Sequence, residues 1–163
     1  MTGDLLIVGA GGHARKLSYY AEALGWRVGA FIDDDPAARA PRPGASCVSM
    51  ADALAFPPGQ HFIVAIGDPV ARRRLLERFQ AMAWVAPALV HPSAYVAPDV
   101  VLGAGTVVCA HAVVETGSVI GVGVIVDIGV MLDHNCVVAM YSHVKTAHVY
   151  PPGTRIGGHG ELY

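Results

Sequence analysis

Charge is what this chain has least of. Only 15% of its 163 residues are Asp, Glu, Lys or Arg, and the net charge is −2, so no basic face is offered to nucleic acid or to an acidic membrane surface. Cysteine is scarce and odd in number: Cys47, Cys109 and Cys136 have neither metal-site nor redox spacing, and reduced cytosolic thiols are the expectation. Hydrophobic residues reach 53%, yet no run of about 18 of them occurs, which excludes a membrane-spanning helix as a reading. The apolar residues are instead interleaved with Gly, Asp and His, the pattern of buried strands and an oligomer interface. Met1 leads quickly into an apolar run with no basic region or cleavage site, so no signal peptide is expected and the location is read as cytoplasmic. The length allows one ordinary domain or two small ones.

What the chain has is a period. Val96, Leu102, Val108, Val114, Ile120, Val126, Leu132, Val138, Val144, Tyr150 and Ile156 place an apolar side chain at every sixth position. At 53% hydrophobic content, eleven such hits in a row have a chance probability of about one in a thousand. Six is the period of neither a helix nor an ordinary strand. It belongs to a parallel β-helix, in which each hexapeptide forms one face of a coil and sends one aliphatic side chain inward. Small or β-branched residues recur four positions after the anchors (Thr106, Ala112, Ser118, Val124, Val130, Cys136, Ser142), and His148 occupies the same inward slot. Turn formers follow several anchors directly: Gly103, Gly121, Asp127, Asp133 and Gly157. Three hexads make a coil of about 18 residues, so 96–156 supplies a little over three coils, close to the minimum for a solenoid. The strongly apolar sides point to self-association.

The first half follows a different grammar. Residues 4–10 (DLLIVGA) read as a buried parallel strand, 14–25 as a helix stopped by Gly25, and 27–32 as a second strand ending in Asp33, Asp34 and Asp35. A loop from Pro36 to Pro43, a short helix over 50–56, a third strand over 61–67 and a basic helix from Pro69 to about Ala83 complete the pattern. Alternation of this kind predicts a small Rossmann-like parallel α/β domain over 1–86, followed by a parallel β-helix over 87–163.

Gly9-Ala10-Gly11-Gly12-His13-Ala14 lies between the first strand and its helix. Glycines there permit close approach of an anionic ligand to free helix N–H groups. As G-x-G-x-x-A with Asp33 about 20 residues on, the segment also fits a dinucleotide fingerprint. The α/β portion is about half a full dinucleotide domain, so one nucleotide, or part of one, is the better ligand, and an NAD-dependent oxidoreductase is the lesser alternative. His13 is either a ligand contact or a turn residue. The Asp33–Asp35 run is either a ligand contact or a solvated turn. Asp33, Gly67 and Asp68 fall on the same edge of the sheet as the glycine loop, where open α/β sheets bind ligands.

In the β-helix, Leu132-Asp133-His134-Asn135-Cys136 puts His134 near a corner of the coil. An imidazole beside a carboxylate suits general-base catalysis, with Asp133 or a neighbour holding the ring in one tautomer; the alternative is a structural histidine. His111, His143 and His148 are further imidazoles, but no three-histidine spacing supports a metal site, and no metal is expected.

Taken together, IVGAGGHARKL, FIDDD, AIGDPVARRRL, HPSAYVAPDVVLGAGTVV and LDHNCVV resemble the bacterial sugar acyltransferase family, which includes sialic-acid O-acetyltransferases and nucleotide-amino-sugar N-acetyltransferases. The resemblance covers nearly the whole chain. It implies a left-handed β-helix, against the usual right-handed crossover, and a homotrimer with active sites between subunits. By position it implies nucleotide-sugar contacts at Gly11, Gly12, His13, Asp33, Asp34 and Gly67. It also implies a catalytic base at His134 and an acetyl-CoA contact at His143. His134 would remove a proton from the sugar amine or hydroxyl as it attacks the thioester, with backbone N–H groups on the oxyanion.

The chain departs from the family pattern in two residues. Asn135 stands where the family has an acid after the catalytic histidine, and Asp127 where it commonly has Asn. It also reaches its last residues, Gly157 to Tyr163, where relatives usually run on for two or three more coils, and a donor site that is shortened, differently built or lost is expected. The function expected is acetyl-CoA-dependent acylation of a nucleotide-activated sugar for surface-glycan synthesis. The alternative is a truncated, non-catalytic nucleotide-sugar-binding trimer.

Overall fold

The computed structural model describes residues 4–35 and 37–157. Met1, with the expectation of no leader, and Gly158–Tyr163, with the expectation of a shortened donor groove, lie outside the described residues, as does Pro36. The chain forms two compact units, Met1–Pro87 and Ala88–Tyr163.

In the first unit the apolar runs become strands β1 (Asp4–Val8), β2 (Arg27–Ile32), β3 (Cys47–Val48) and β4 (His61–Val64). They pair in parallel in the order β3-β2-β1-β4. Helices α1 (Gly12–Ala23), α2 (Met50–Ala53) and α3 (Pro69–Ala81) connect them. Leu5, Ile7, Phe31, Phe62 and Ile63 are fully buried, with Leu17 from α1 and Leu76 and Phe79 from α3. Each such side chain contributes about 1.5–3 kcal/mol relative to exposure.

Several boundaries differ from the sequence reading: β1 stops at Val8 rather than 10, and α1 stops at Ala23 rather than 25. Helix α1 starts at Gly12, not 14, because Gly11 is already an extended N-cap and Gly12 turns into the helix. Helix α2 is a single turn, capped by Ser49, whose hydroxyl accepts from the Asp52 N–H at 3.1 Å. Strand β4 stops at Val64 rather than 67, and α3 ends at Ala81 before the left-handed Ala83. Strand β3 went unpredicted because two residues are too few to show a period; it is held by its register with Phe31 and Ile32.

The second unit is a parallel β-helix of three four-stranded sheets. One contains β5 (Leu89–Val90), β8 (Val107–Val108), β11 (Ile125–Val126) and β14 (His143–Val144). The next contains β6 (Tyr95–Val96), β9 (Val113–Val114), β12 (Met131–Leu132) and β15 (Val149–Tyr150). The third contains β7 (Val101–Leu102), β10 (Val119–Ile120), β13 (Val137–Val138) and β16 (Arg155–Ile156). Partners lie one 18-residue coil apart, as in Val108↔Val126↔Val144. The anchors from Val108 to Ile156 are all buried, while Val96 and Leu102 are partly so. Small slot residues from Thr106 to Ser142 are buried beside them. His148 is a correction: it is exposed, its Nδ1 lying 3.1 Å from the carbonyls of Lys145 and Thr146, because an imidazole is too large for a slot that elsewhere holds Ser, Thr, Ala, Val or Cys.

A second six-residue period accompanies the first. Gly105, His111, Gly117, Gly123, Gly129, Asn135, Tyr141, Ala147 and Gly153 all have φ between +58° and +71°. These are the corners of the coil. Their N–H groups reach back to the preceding coil, as Asn135 N to Thr116 O at 2.9 Å and Tyr141 N to Val122 O at 2.8 Å. Gly121 answers a different need: a Cβ there would lie 2.6 Å from the Met140 amide nitrogen, so adjacent coils leave it no room.

Candidate active site

At the carboxyl edge of the first sheet, β1 runs through Gly9 (φ +111°) to the N-terminus of α1. That terminus has no side-chain cap and no acidic residue in its first turn. A Cβ added at Gly11, Gly12 or Gly67 would meet nothing within 4 Å. The approach to the uncapped N-terminus of α1 is therefore clear of side chains at these glycines, the local chemistry of an anion site. His13 sits half-buried in that turn.

Asp33 and Asp34 act first as struts. Asp33 accepts from Ala10 N at 2.8 Å and from Asp35 N at 3.0 Å, tying the end of β2 to the glycine loop. Asp34 accepts from Met50 N at 2.8 Å and anchors α2. Both aspartates line a crevice of about 170 Å³ with Gly9, Ile32, Met50, Ile66 and Arg74. Gly11, Gly12, His13 and Gly67 lie on the same edge, outside that lining.

Sequence reasoning missed Arg72. It is 1% exposed, and its Nη1 donates to Ile66 O at 3.0 Å and Gly67 O at 2.8 Å, which holds the loop after β4. Burial pushes its guanidinium down to about 10, against the pull of Asp68, and it stays charged at neutral pH. The signal available was its place in the first turn of a Pro-started helix, directly after the loop it holds.

His134 occupies an exposed corner between β12 and β13. Its backbone is fixed on both sides: Asp133 Oδ1 accepts from its N–H at 2.7 Å, and its carbonyl accepts from Gly153 N at 2.9 Å. One oxygen of Asp133 is thus held by the backbone, and the side chain 2.8 Å from His134 Nδ1 is that of Asn135, through its Nδ2. With the amide nitrogen donating, the ring carries its proton on Nε2. Turned over, the amide oxygen accepts from Nδ1–H and leaves the Nε2 lone pair outward. The amide packs over Gly117 of the preceding coil, where a Cβ would collide with Oδ1. Below that, Asp99 Oδ2 accepts from Thr116 Oγ1 at 2.7 Å and Gly117 N at 3.0 Å. Those bonds hold the Asp99 carboxyl below its ordinary value.

His143 is half-buried on β14, with Nε2 3.4 Å from Asp127 Oδ2 and Nδ1 3.1 Å from Lys145 Nζ. The Asp127 that replaces the family's Asn is therefore its partner. Among the described residues, no group of three or more His, Cys, Asp or Glu is placed to hold a metal ion. An apolar cleft of about 420 Å³ on the sheet of β6, β9, β12 and β15 is bordered by Met131, Val149 and Tyr150, with Glu115 and Asp133 at its polar margin.

An α/β unit with an open glycine loop, joined to a hexapeptide β-helix with an exposed corner histidine, defines an acyltransferase of the hexapeptide-repeat class. The comparisons narrow this. The PglD N-terminal domain family model matches residues 4–79. The acetyltransferase domain of PglB from Neisseria gonorrhoeae FA1090 is 30% identical, with a TM-score of 0.83 over 95% of this chain and 85% of that one. The same domain in complex with acetyl coenzyme A gives 29% and 0.82 over the same shares. PerB from Caulobacter crescentus, in complex with CoA and GDP-perosamine, is 28% identical, with a TM-score of 0.80 over 97% of this chain and 84% of that one. No curated protein matches the chain. The chain belongs to the sugar acetyltransferase family, and its β-helix is the left-handed one of that family. Among the described residues, no helix is long and apolar enough to cross a membrane.

Proposed function

We propose that this protein transfers an acetyl group from acetyl-CoA to an amino or hydroxyl group of a nucleotide-activated sugar, with His134 as general base. The observation that carries the reading is the His134 corner: an exposed imidazole with its backbone bound on both sides and its Nδ1 2.8 Å from the Asn135 amide. Acetyl-CoA supplies the acetyl group as an activated thioester. With the Asn135 oxygen accepting from Nδ1–H, His134 Nε2 takes the proton released by the acceptor nitrogen or oxygen as its new bond to the acetyl carbon forms; the thioester C–S bond then breaks, and CoA leaves as its thiol with a proton returned by the imidazolium. His143 contacts the donor once Lys145, exposed on a flexible stem, leaves its Nδ1; Asp127 keeps the ring oriented meanwhile.

The first unit, 1–87, holds the nucleotide-sugar. Gly11, Gly12 and Gly67 provide the open edge, His13 the first-turn side chain, and Asp33 and Asp34 the struts that shape the crevice. The GDP-perosamine bound to PerB supports this substrate class. The working form is a homotrimer in the cytoplasm, serving surface-glycan synthesis. The trimer is supported by the apolar outer ladder of Tyr95, Met131 and Val149, which are 51%, 47% and 68% exposed.

Thiol release from acetyl-CoA, measured with UDP- and GDP-linked amino sugars, tests the activity. Release is expected, with a loss of about 10²-fold or more in His134→Ala. Full activity in that variant would refute the base. No release with any acceptor, alongside nucleotide binding, would establish the non-catalytic binding trimer instead.

A further inference from the structure

The run Arg72-Arg73-Arg74 opens onto three different environments, because successive residues on a helix are separated by about 100°. Arg72 turns inward and donates to Ile66 O and Gly67 O. Arg73 lies on the surface and pairs with Glu77 at 2.9 Å, an i,i+4 bridge. Arg74 lines the crevice at the carboxyl edge of the sheet. No ion pair or hydrogen bond joins Arg74 to another described residue, and it is the one cation among the residues that line the crevice.

The two acids in the same lining do not pair with it. Asp33 has both oxygens on backbone N–H groups, and Asp34 has one on Met50 N. A crevice edged by two carboxylates repels an anion, unless a cation on another wall offsets them. The apolar remainder (Ile32, Met50, Ile66, Leu75) suits the flat, uncharged part of a ligand. One chemistry meets both demands: a nucleoside diphosphate, its nucleoside against the aliphatic wall and its diphosphate toward the guanidinium. A guanidinium is the side chain best matched to phosphate oxygens, since its fork donates two parallel hydrogen bonds.

We propose that Arg74 is the cationic contact for the diphosphate of the nucleotide-sugar. This rests on the reading that the first unit binds that substrate. The test is equilibrium binding of UDP, GDP and dTDP, and of their nucleosides, to the full-length protein and to Arg74→Ala, Arg74→Lys and Arg73→Ala. Arg74→Ala is expected to weaken the diphosphate that binds best by about 10- to 100-fold and its nucleoside by less than about 2-fold. Arg74→Lys should fall between, keeping the charge but not the fork, and the salt dependence of diphosphate binding should flatten in Arg74→Ala. Arg73→Ala should match the parent. Unchanged diphosphate affinity in Arg74→Ala overturns the proposal alone. So does an equal loss for diphosphate and nucleoside, which would make Arg74 a wall of the nucleoside pocket. Failure of the parent protein to bind any of the three diphosphates overturns the nucleotide reading of the unit, and Arg74's role with it.

Discussion

Replacing Asn135 with Asp tests the His134 corner without dismantling it. Asn135 has φ +61°, a conformation that Asp tolerates about as well and that most other residues do not. The substitution changes one thing: an amide able to donate or accept becomes an acceptor with a negative charge, 2.8 Å from Nδ1. Two consequences follow. The ring is locked with its proton on Nδ1, which keeps the Nε2 lone pair for the acceptor proton. The imidazolium is also stabilised by a neighbouring charge. At an exposed corner the Coulomb energy of such a pair lies near the aqueous end of its range, about 1–2 kcal/mol, or roughly one pK unit.

The sign is set by which form reacts. The base must be neutral, so a stabilised imidazolium moves the acid limb of the kcat/KM profile upward, by about one pH unit. Below the parent's limb the variant should be about ten times slower; well above it, equal or faster. The assay is thiol release across pH 5 to 9 with one nucleotide-amino-sugar, alongside the parent protein. An acid limb that stays in place, or moves downward, would refute the assignment of Asn135 as the partner of the catalytic ring. Gly117→Ala gives an independent check, because its Cβ would displace the amide. It should lower kcat more than it changes KM.

Three further outcomes are expected. Leu132 is fully buried in the β-helix core, so Leu132→Ala should cost about 2–5 kcal/mol, read as a fall in Tm of about 5–15 °C; a shift under about 2 °C would contradict the inward anchor. Val149→Glu places a charge on the apolar outer ladder and should convert the proposed trimer to monomer in light scattering; a trimer that persists in the variant would move the interface to another face. Asp99, held below its ordinary value by Thr116 and Gly117, contributes stability above the unfolded-state value near 3.8 that is lost as pH falls through the folded one. Asp99→Asn should therefore reduce stability at neutral pH and flatten its decline below about pH 4, measured by denaturant unfolding; an unchanged acid dependence would refute the link.

The β-helix was legible because its core obeys a single rule. Each anchor from Val108 to Ile156 had to be apolar to be buried, so the sequence shows the period directly. Where a slot was occupied by something too large, at His148, the inference failed for the reason that made it work elsewhere: the slot is narrow. The α/β unit was readable from its longer runs and from Gly25, but not at β3, where two residues take their conformation from the register with β2. Arg72 and Arg74 were invisible individually. In sequence they form one basic run with Arg73; only the helical turn sends one inward, one to solvent and one over the crevice.

The corner positions explain why the region proposed as catalytic resists the same reading. Five of the nine left-handed corners are glycine, and the others are His111, Asn135, Tyr141 and Ala147. A side chain with a Cβ costs about 1–2 kcal/mol in that conformation, so a non-glycine corner is a place where something opposes the cost. At Asn135 the structure shows what does: the amide seated over Gly117 and facing His134 Nδ1. The anchors repeat because each answers to the same core, while Asn135 departs from glycine at its corner, and the proposed base beside it is a reason outside that core. If that is the reason, Asn135→Gly should relieve backbone strain and hold or raise Tm, while slowing thiol release about as much as loss of the ring's partner requires. An Asn135→Gly protein that lost stability, or kept its full rate, would show that the left-handed asparagine is a structural accommodation and not a support for the base.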